Sequence, residues 1–257
     1  MKLEGKQVLI IGGTAGIGFA LARELSLSGA HVTLCGPDAA CLDQALAALP
    51  DARGLVADVN HESGRQRLCD AVEEQGGLDL LVSNAGTHFQ DAFADPDAAS
   101  IERELYQRAE RDRFTGRGYG LVTQSFVNLM GPVLLAYGLL PALRVRSGTL
   151  VNVASGLACP PAHDACVYSA GKSALASLSR GLRQSAARDG VRVVEVTPPL
   201  VATETAWERG EGRRAFPEAV AKAIAEGLVN DRSRITLRAA RFVPWLARLH
   251  LPFASEG

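Results

Sequence analysis

Two residues of this 257-residue chain have the types and spacing for proton transfer: Tyr168 and Lys172 in the stretch "CVYSAGK". Positions four apart lie on one face of a helix. A phenol is a poor acid–base group at its ordinary pKa near 10. A lysine ammonium within about 4–6 Å favours the phenolate and draws that pKa towards the working range. Such a pair gives a proton to an oxygen that is gaining negative charge, or takes one in the reverse direction. The same spacing also occurs in ordinary turns of buried helices, so other parts of the chain must decide. One is "IIGGTAGIGFA", where an apolar run meets a helical pattern at Gly12, Gly16 and Gly18. Glycine there lets the backbone turn sharply and approach a pyrophosphate, whose charge a helix N-terminus favours. The spacing is G-x-x-x-G-x-G rather than the commoner G-x-G-x-x-G, and a tight turn without a ligand would use the same glycines.

The elements that must position these residues alternate along the first half. "KQVLIIG" reads as a strand, "GIGFALARELSLSG" as a helix, "AHVTLCG" as a strand, and "PDAACLDQALAAL" as a helix with Asp38 as its N-cap. "RGLVADV" is a third strand, 61–76 a third helix and "LDLLVSNAG" a fourth strand. Continuous apolar strands alternating with helices predict a parallel sheet covered on both faces. Residues 87–118, polar and arginine-rich, break the rhythm; they read as an exposed helix plus a turn, an insertion rather than a domain. The pattern resumes with helix 119–145, strand 148–154, helix 165–189 and strand 191–197. After Pro198-Pro199 come a polar loop, a helix near 217–229 and a strand near 234–238. One domain spans 1–257, with a substrate lid near 204–216.

Composition narrows the classes. Hydrophobic residues are 47% and charged residues 21%, values of a soluble globular protein, and a net charge of −1 gives no general attraction to nucleic acid or anionic membrane. The opening "MKLEGKQVLI" lacks a signal-peptide layout. Cys35, Cys41, Cys69, Cys159 and Cys166 are odd in number, contain no C-x-x-C pair and show no metal-ligand spacing. They read as reduced thiols of a cytoplasmic protein without a metal. The apolar stretch 119–143 contains Gln124, Asn128, Pro132 and Pro141, so it reads as a buried helix and not a membrane span.

"GGTAGIG", "ADV" at 57–59, "SNAG" at 83–86 and "YSAGK", in that order and at these separations, resemble the short-chain dehydrogenase/reductase family from residue 6 to about 204. The resemblance implies an α/β, doubly wound Rossmann-type sheet, mostly parallel and usually seven-stranded, with a nicotinamide dinucleotide across the carboxyl ends of its strands. It implies hydride transfer between that cofactor and a carbonyl or secondary alcohol, with Tyr168 the acid in reduction and the base in oxidation. Lys172 would be its electrostatic partner and would hold the nicotinamide ribose. The serine ending "TLVNVASG", Ser155, falls at the family's catalytic serine, whose hydroxyl donates to the developing oxyanion; a strand-end serine alone reads as a turn or cap. Asn128 falls at the asparagine whose main-chain carbonyl holds a proton-relay water. Pro132, four residues on, has no N–H to donate to that carbonyl.

The resemblance places Gly12, Thr14, Gly16, Ile17 and Gly18 at the pyrophosphate turn. It places Asp58 and Val59 at the adenine, and Asn84, Ala85 and Gly86 at the adenine ribose and sheet. Pro198, Val201 and Thr203 fall at the carboxamide loop. There are departures. Ile11 stands where many members have Thr, which loses a hydrogen bond between neighbouring turns. Pro199 stands where glycine is usual, so that loop is stiffer or differently bent; a Pro-Pro here resembles the D-alanine-operon oxidoreductase and ketosphinganine reductase subgroup. Gly36 and Pro37 end strand two where an acid would mark NAD or a base NADP, and Ala15 is neutral. The balance falls to NADP, since nothing there repels a phosphate, with NAD the alternative and loss of affinity for both a third outcome. These changes motivate a rival reading, a non-redox dehydratase-like or cyclase-like enzyme or a binding module; the intact Asn128, Ser155, Tyr168 and Lys172 set speaks against it.

The expected substrate is a small-molecule carbonyl or alcohol, bulky and apolar ones included, walled by the loop 156–167 with Cys159 and Cys166. His163 in that loop reads as facing solvent rather than substrate, and Trp207 belongs to the lid. The tail sets Arg232, Arg234, Arg238, Arg241 and Arg248 among Phe242, Trp245, Leu246, Leu249 and Phe253. It reads as a helix packed on the body or on a partner subunit, in preference to an amphipathic segment for a membrane surface or for the mouth of an apolar substrate site. By family analogy the two long helices build a homo-dimer or homo-tetramer.

Overall fold

The computed structural model describes residues 1–86, 110–111, 118–119, 124–158, 165–199, 201 and 215–237. The strands are β1 (Gln7–Ile11), β2 (His31–Gly36), β3 (Arg53–Val56), β4 (Leu80–Ser83), β5 (Glu110–Arg111), β6 (Gly118–Tyr119), β7 (Thr149–Val153), β8 (Arg192–Thr197) and β9 (Arg234–Thr236). The helices are α1 (Gly16–Leu27), α2 (Ala39–Ala48), α3 (Glu62–Glu74), α4 (Gly131–Val145), α5 (Cys166–Ala186) and α6 (Pro217–Val229). A π-helical segment, Phe126–Met130, leads into α4, and a 3-10 turn, Ala187–Asp189, ends α5.

Seven strands form one parallel sheet in the order β3-β2-β1-β4-β7-β8-β9. The chain winds outwards from β1 in one direction and from β4 in the other, so a crevice opens between their carboxyl ends, the usual ligand position in such sheets. Period-two alternation divides the strand side chains between two cores. Val8, Ile10, Leu80, Val82, Val151 and Val153 pack with Leu21 and Leu25 of α1 and Ile224 and Leu228 of α6. Leu9, Ile11, Leu81, Leu150 and Val193 pack with Leu68 of α3 and Leu135, Leu139 and Leu143 of α4. Because both faces are covered, the strands are apolar throughout rather than alternating.

Asp79, just before β4, is buried and receives Lys6 Nζ at 2.9 Å and the Gln7 N–H at 2.9 Å, with Arg146 Nη1 at 3.5 Å. These bonds lock the amino ends of β1 and β4 together, opposite the crevice.

Two expectations need correction. Residue 119 does not begin a helix: Gly118–Tyr119 pairs antiparallel with Glu110–Arg111, and the described residues are helical again at Gln124. That ladder also replaces the end of the helix-plus-turn read over 87–118. A glycine followed by an aromatic residue is a poor helix start and a better strand. The remainder of 87–118, the lid core 204–214 and the tail from 238 onward lie outside the described residues, as do Cys159, His163 and Thr203.

Candidate active site

The glycine turn after β1 is shaped by what it omits. Gly12 has φ +76° and Gly16 φ +54°, a region that favours glycine. A Cβ on Gly12 would stand 2.7 Å from Ala85 Cα, and one on Gly18 would stand 2.0 Å from the Gly12 carbonyl oxygen. The turn is tied down by Asn84, whose Nδ2 donates to the Gly12 carbonyl at 2.8 Å and whose N–H donates to the Ile11 carbonyl at 3.1 Å. Asn84 thus joins the first and fourth strand ends, and the buried Ile11 needs no side-chain hydrogen bond to do so. Helix α1 begins here with no side-chain cap from Ala15 and no acidic residue in its first turn. Its first amides and its dipole therefore face the crevice without internal competition, the arrangement that suits a pyrophosphate. The residues present fit the dinucleotide.

At the end expected to meet the adenine, Thr14 packs on Gly36, where an added Cβ would stand 2.9 Å from Thr14 Cγ2. Asp38 caps α2, accepting the Cys41 N–H at 2.9 Å. Asp58 accepts both the backbone N–H and the Nδ2 of Asn60, at 3.0 and 2.9 Å, which fixes the turn into α3. Val59 is buried beside Gly131, and its carbonyl receives Arg65 Nη1 at 2.7 Å. Arg65 also lies 5.2 Å from the Phe126 ring centroid, clasping the turn after β3 to the π-helical segment. Nothing in the motif pattern marks Arg65. Cys35 is no nucleophile: burial first, then the charge of Asp58, pushes its thiol up to about 12.

The residues expected to move protons come from three elements. Asn128 is fully buried in the π-helical turn. The Gly131 N–H reaches back five residues to the Phe126 carbonyl, and Pro132 has no N–H for the Asn128 carbonyl. π-turns inside α-helices mark functional sites more often than chance. Lys172, on α5, is buried, and its ammonium donates to the Val153 carbonyl at 3.0 Å. It sits 5.9 Å from the Tyr168 ring centroid. Burial brings its pKa down to about 8. A Cβ on Gly86 would stand 2.9 Å from Asn128 Oδ1 and 3.2 Å from Lys172 Nζ, so both side chains converge over that glycine. Tyr168 is half-buried one turn before Lys172.

Ser155 follows β7 in a turn of its own. Its Oγ accepts the Leu157 N–H at 3.2 Å, which leaves its hydroxyl hydrogen to donate. The Gly156 N–H donates to the Pro198 carbonyl at 2.9 Å, and the Ser173 hydroxyl of α5 donates to the Ala158 carbonyl. The serine turn is therefore pinned to the Pro198-Pro199 loop on one side and to the Tyr168 helix on the other. Beyond that loop, Val201 makes a parallel bridge to Ala215. The sequence reading had no means of finding the Val153 carbonyl as the lysine's partner, since a main-chain acceptor carries no residue type.

Fold and cradle define a dinucleotide-binding protein of the doubly wound class. A family model described as short chain dehydrogenase matches residues 6–214, and the chain belongs to that family. It is similar to the uncharacterized oxidoreductase DltE of Bacillus subtilis (strain 168), 34% identical over 206 residues that cover 79% of this chain and 74% of the relative. It is also similar to meso-2,3-butanediol dehydrogenase of Serratia marcescens, 29% identical over 250 residues, 91% and 92% of the two chains. Among solved structures, a short chain dehydrogenase/reductase family protein superposes with a TM-score of 0.75 at 28% identity, covering 92% of this chain and 96% of its own. The protein is an oxidoreductase that uses a nicotinamide dinucleotide.

Proposed function

We propose that the protein interconverts a carbonyl and a secondary alcohol, with Tyr168 as the acid–base group and NADP the preferred cofactor. When bound, the nicotinamide supplies or accepts the hydride. In reduction, Tyr168 gives its phenolic proton to the oxygen that gains charge, and Ser155 donates a hydrogen bond to the same oxygen. Lys172 stabilises the resulting phenolate by its charge and returns a proton, with Asn128 beside it on the route to solvent. In oxidation each proton moves the other way. The observation that carries this reading is the Lys172 ammonium: buried on the Val153 carbonyl, next to Tyr168, and meeting Asn128 over Gly86.

The end of β2 supports NADP. Gly36 and Pro37 are uncharged, and Asp38 is turned to cap α2, so no acid is placed there to repel a 2′-phosphate. Gly12, Thr14, Gly16, Ile17 and Gly18 would hold the pyrophosphate and Asp58 and Val59 the adenine. Asn84, Ala85 and Gly86 would hold the ribose, and Pro198, Val201 and Thr203 the carboxamide. The single-domain organisation, with an insertion at 87–118 and a lid at 204–216, belongs to the same reading, as does a cytoplasmic location. The helix running through Phe126–Val145 is long and apolar enough to cross a membrane, but about half of it is buried in the body, so we read it as a core helix that also pairs subunits.

The test is Tyr168→Phe. Turnover with a broad panel of ketones should fall by about a thousandfold or more, while fluorescence titration should show NADPH binding nearly unchanged and tighter than NADH. Turnover retained in this variant defeats the assignment; tighter NADH binding overturns the cofactor preference alone.

A further inference from the structure

Beneath Lys172 the sheet holds a polar pair that the proton-transfer scheme does not use. Ser83 of β4 and Asn152 of β7 are register partners on neighbouring strands and are 2% and 1% exposed. Two residues earlier on the same strands, Leu81 and Leu150 face the α4 core, so Ser83 and Asn152 face that layer too. Asn152 Nδ2 donates to Ser179 Oγ on α5 at 2.9 Å, and Ser179 Oγ donates its one hydrogen to the Leu175 carbonyl at 2.7 Å. Ser179 can therefore only accept from Asn152, which fixes the amide's orientation. Asn152 Oδ1 is left as an acceptor and Ser83 Oγ as a donor, and neither has a hydrogen-bond partner among the described residues. Glu195, the register partner of Asn152 on β8, is a different case, because Arg234 Nε at 3.5 Å and Arg183 Nη2 at 3.9 Å compensate its charge.

Leaving a buried donor and a buried acceptor unmade costs about 1–3 kcal/mol each. Adjacent strands stand about 4.8 Å apart. A water between the two groups would serve both, and buried waters bridge polar atoms in this way. We propose that Ser83 and Asn152 bind a structural water on the α5 side of the sheet, and that this water fixes the end of β7 whose Val153 carbonyl holds Lys172. Asn152 and Val153 are consecutive, and each is bonded to α5, through Ser179 and Lys172 respectively. The water completes the strand side of that double tie and makes Asn152 a positioning residue. The water site rests on register, burial and two unmade bonds; its bearing on turnover rests on the role of Lys172 given above.

The water is tested by a crystal structure at a resolution that shows ordered solvent, which needs no activity. A water within about 3.2 Å of both atoms, missing in Asn152→Leu, is the expected result. A direct Ser83–Asn152 bond, or no water there, overturns the proposal. The positioning role is tested by ultraviolet titration of Tyr168, taken as the difference from Tyr168→Phe. Asn152→Leu should move its midpoint by about half a unit or more, while Val151→Ala, on the opposite face of β7, should not. Equal behaviour of the two variants removes the positioning role. Should Asn152→Leu fail to fold, Ser83→Ala replaces it in both experiments, with the same expectations.

Discussion

A hydrogen atom where other residues carry a side chain lets two polar groups meet at Gly86. With a Cβ there, 2.9 Å from Asn128 Oδ1 and 3.2 Å from Lys172 Nζ, one of the two must move. Both are held in a packed interior, and under the proposed mechanism displacing either by about 1 Å is costly. Gly86→Ala should therefore lower turnover about ten- to hundredfold while destabilising the fold by about 1–3 kcal/mol, read from kcat and from urea unfolding. Turnover within about twofold of wild type would show that these side chains have room to give. At this scale the sequence was informative wherever a residue's type decides its local geometry. The cap Asp38, the turn glycines and the nearness of Lys172 to Tyr168 could all be read before any coordinates. The Val153 carbonyl and the clasp made by Arg65 could not, because the first is main chain and the second is one of many arginines whose partners only the fold selects.

The helix that carries Asn128 is specialised on both sides. Its inner face supplies Leu135, Leu139 and Leu143 to the core. Its outer face shows Met130, Leu134 and Tyr137, exposed by 43%, 39% and 61%, at the spacing of one helical stripe. Exposed apolar stripes of this kind mark association surfaces, and this one supports the proposed homo-oligomer. Tyr137→Glu would put a charge in the middle of the stripe. Analytical ultracentrifugation should show wild type as a dimer or tetramer and the variant with a subunit dissociation constant raised about tenfold or more. A monomeric wild type, or an unaffected variant, would move the interface elsewhere. Sequence periodicity located this element but placed its start too early and took its first turns as regular helix. The apolar pattern runs on through the π-turn unchanged, so only Pro132 and Gly131 hint at the altered hydrogen bonding, and the short β5–β6 ladder before it is too brief to leave a period.

The whole molecule keeps a cation buried, and that should appear in its stability. Burial brings the Lys172 pKa from 10.5 down to about 8. Between these values the unfolded chain holds the proton and the folded protein does not, so stability rises with pH across that window. Below pH 8 both states are charged and the folded state bears the full penalty, about 3 kcal/mol for a separation of roughly two and a half units. Lys172→Met removes the charge and keeps an apolar stem of similar length, at the cost of leaving the Val153 carbonyl without its donor. Urea unfolding at pH 7 should find the variant more stable than wild type by about 1–3 kcal/mol, with the gap closing as pH approaches 10. A wild type that is the more stable at pH 7 would mean that the bond to Val153 outweighs the burial. The expected sign describes a fold that gives up stability at one point in order to hold an ammonium beside a phenol. At the opposite end of the sheet the buried charge is met instead: Asp79 is bonded by Lys6 and Gln7, which locks the amino ends of β1 and β4 together.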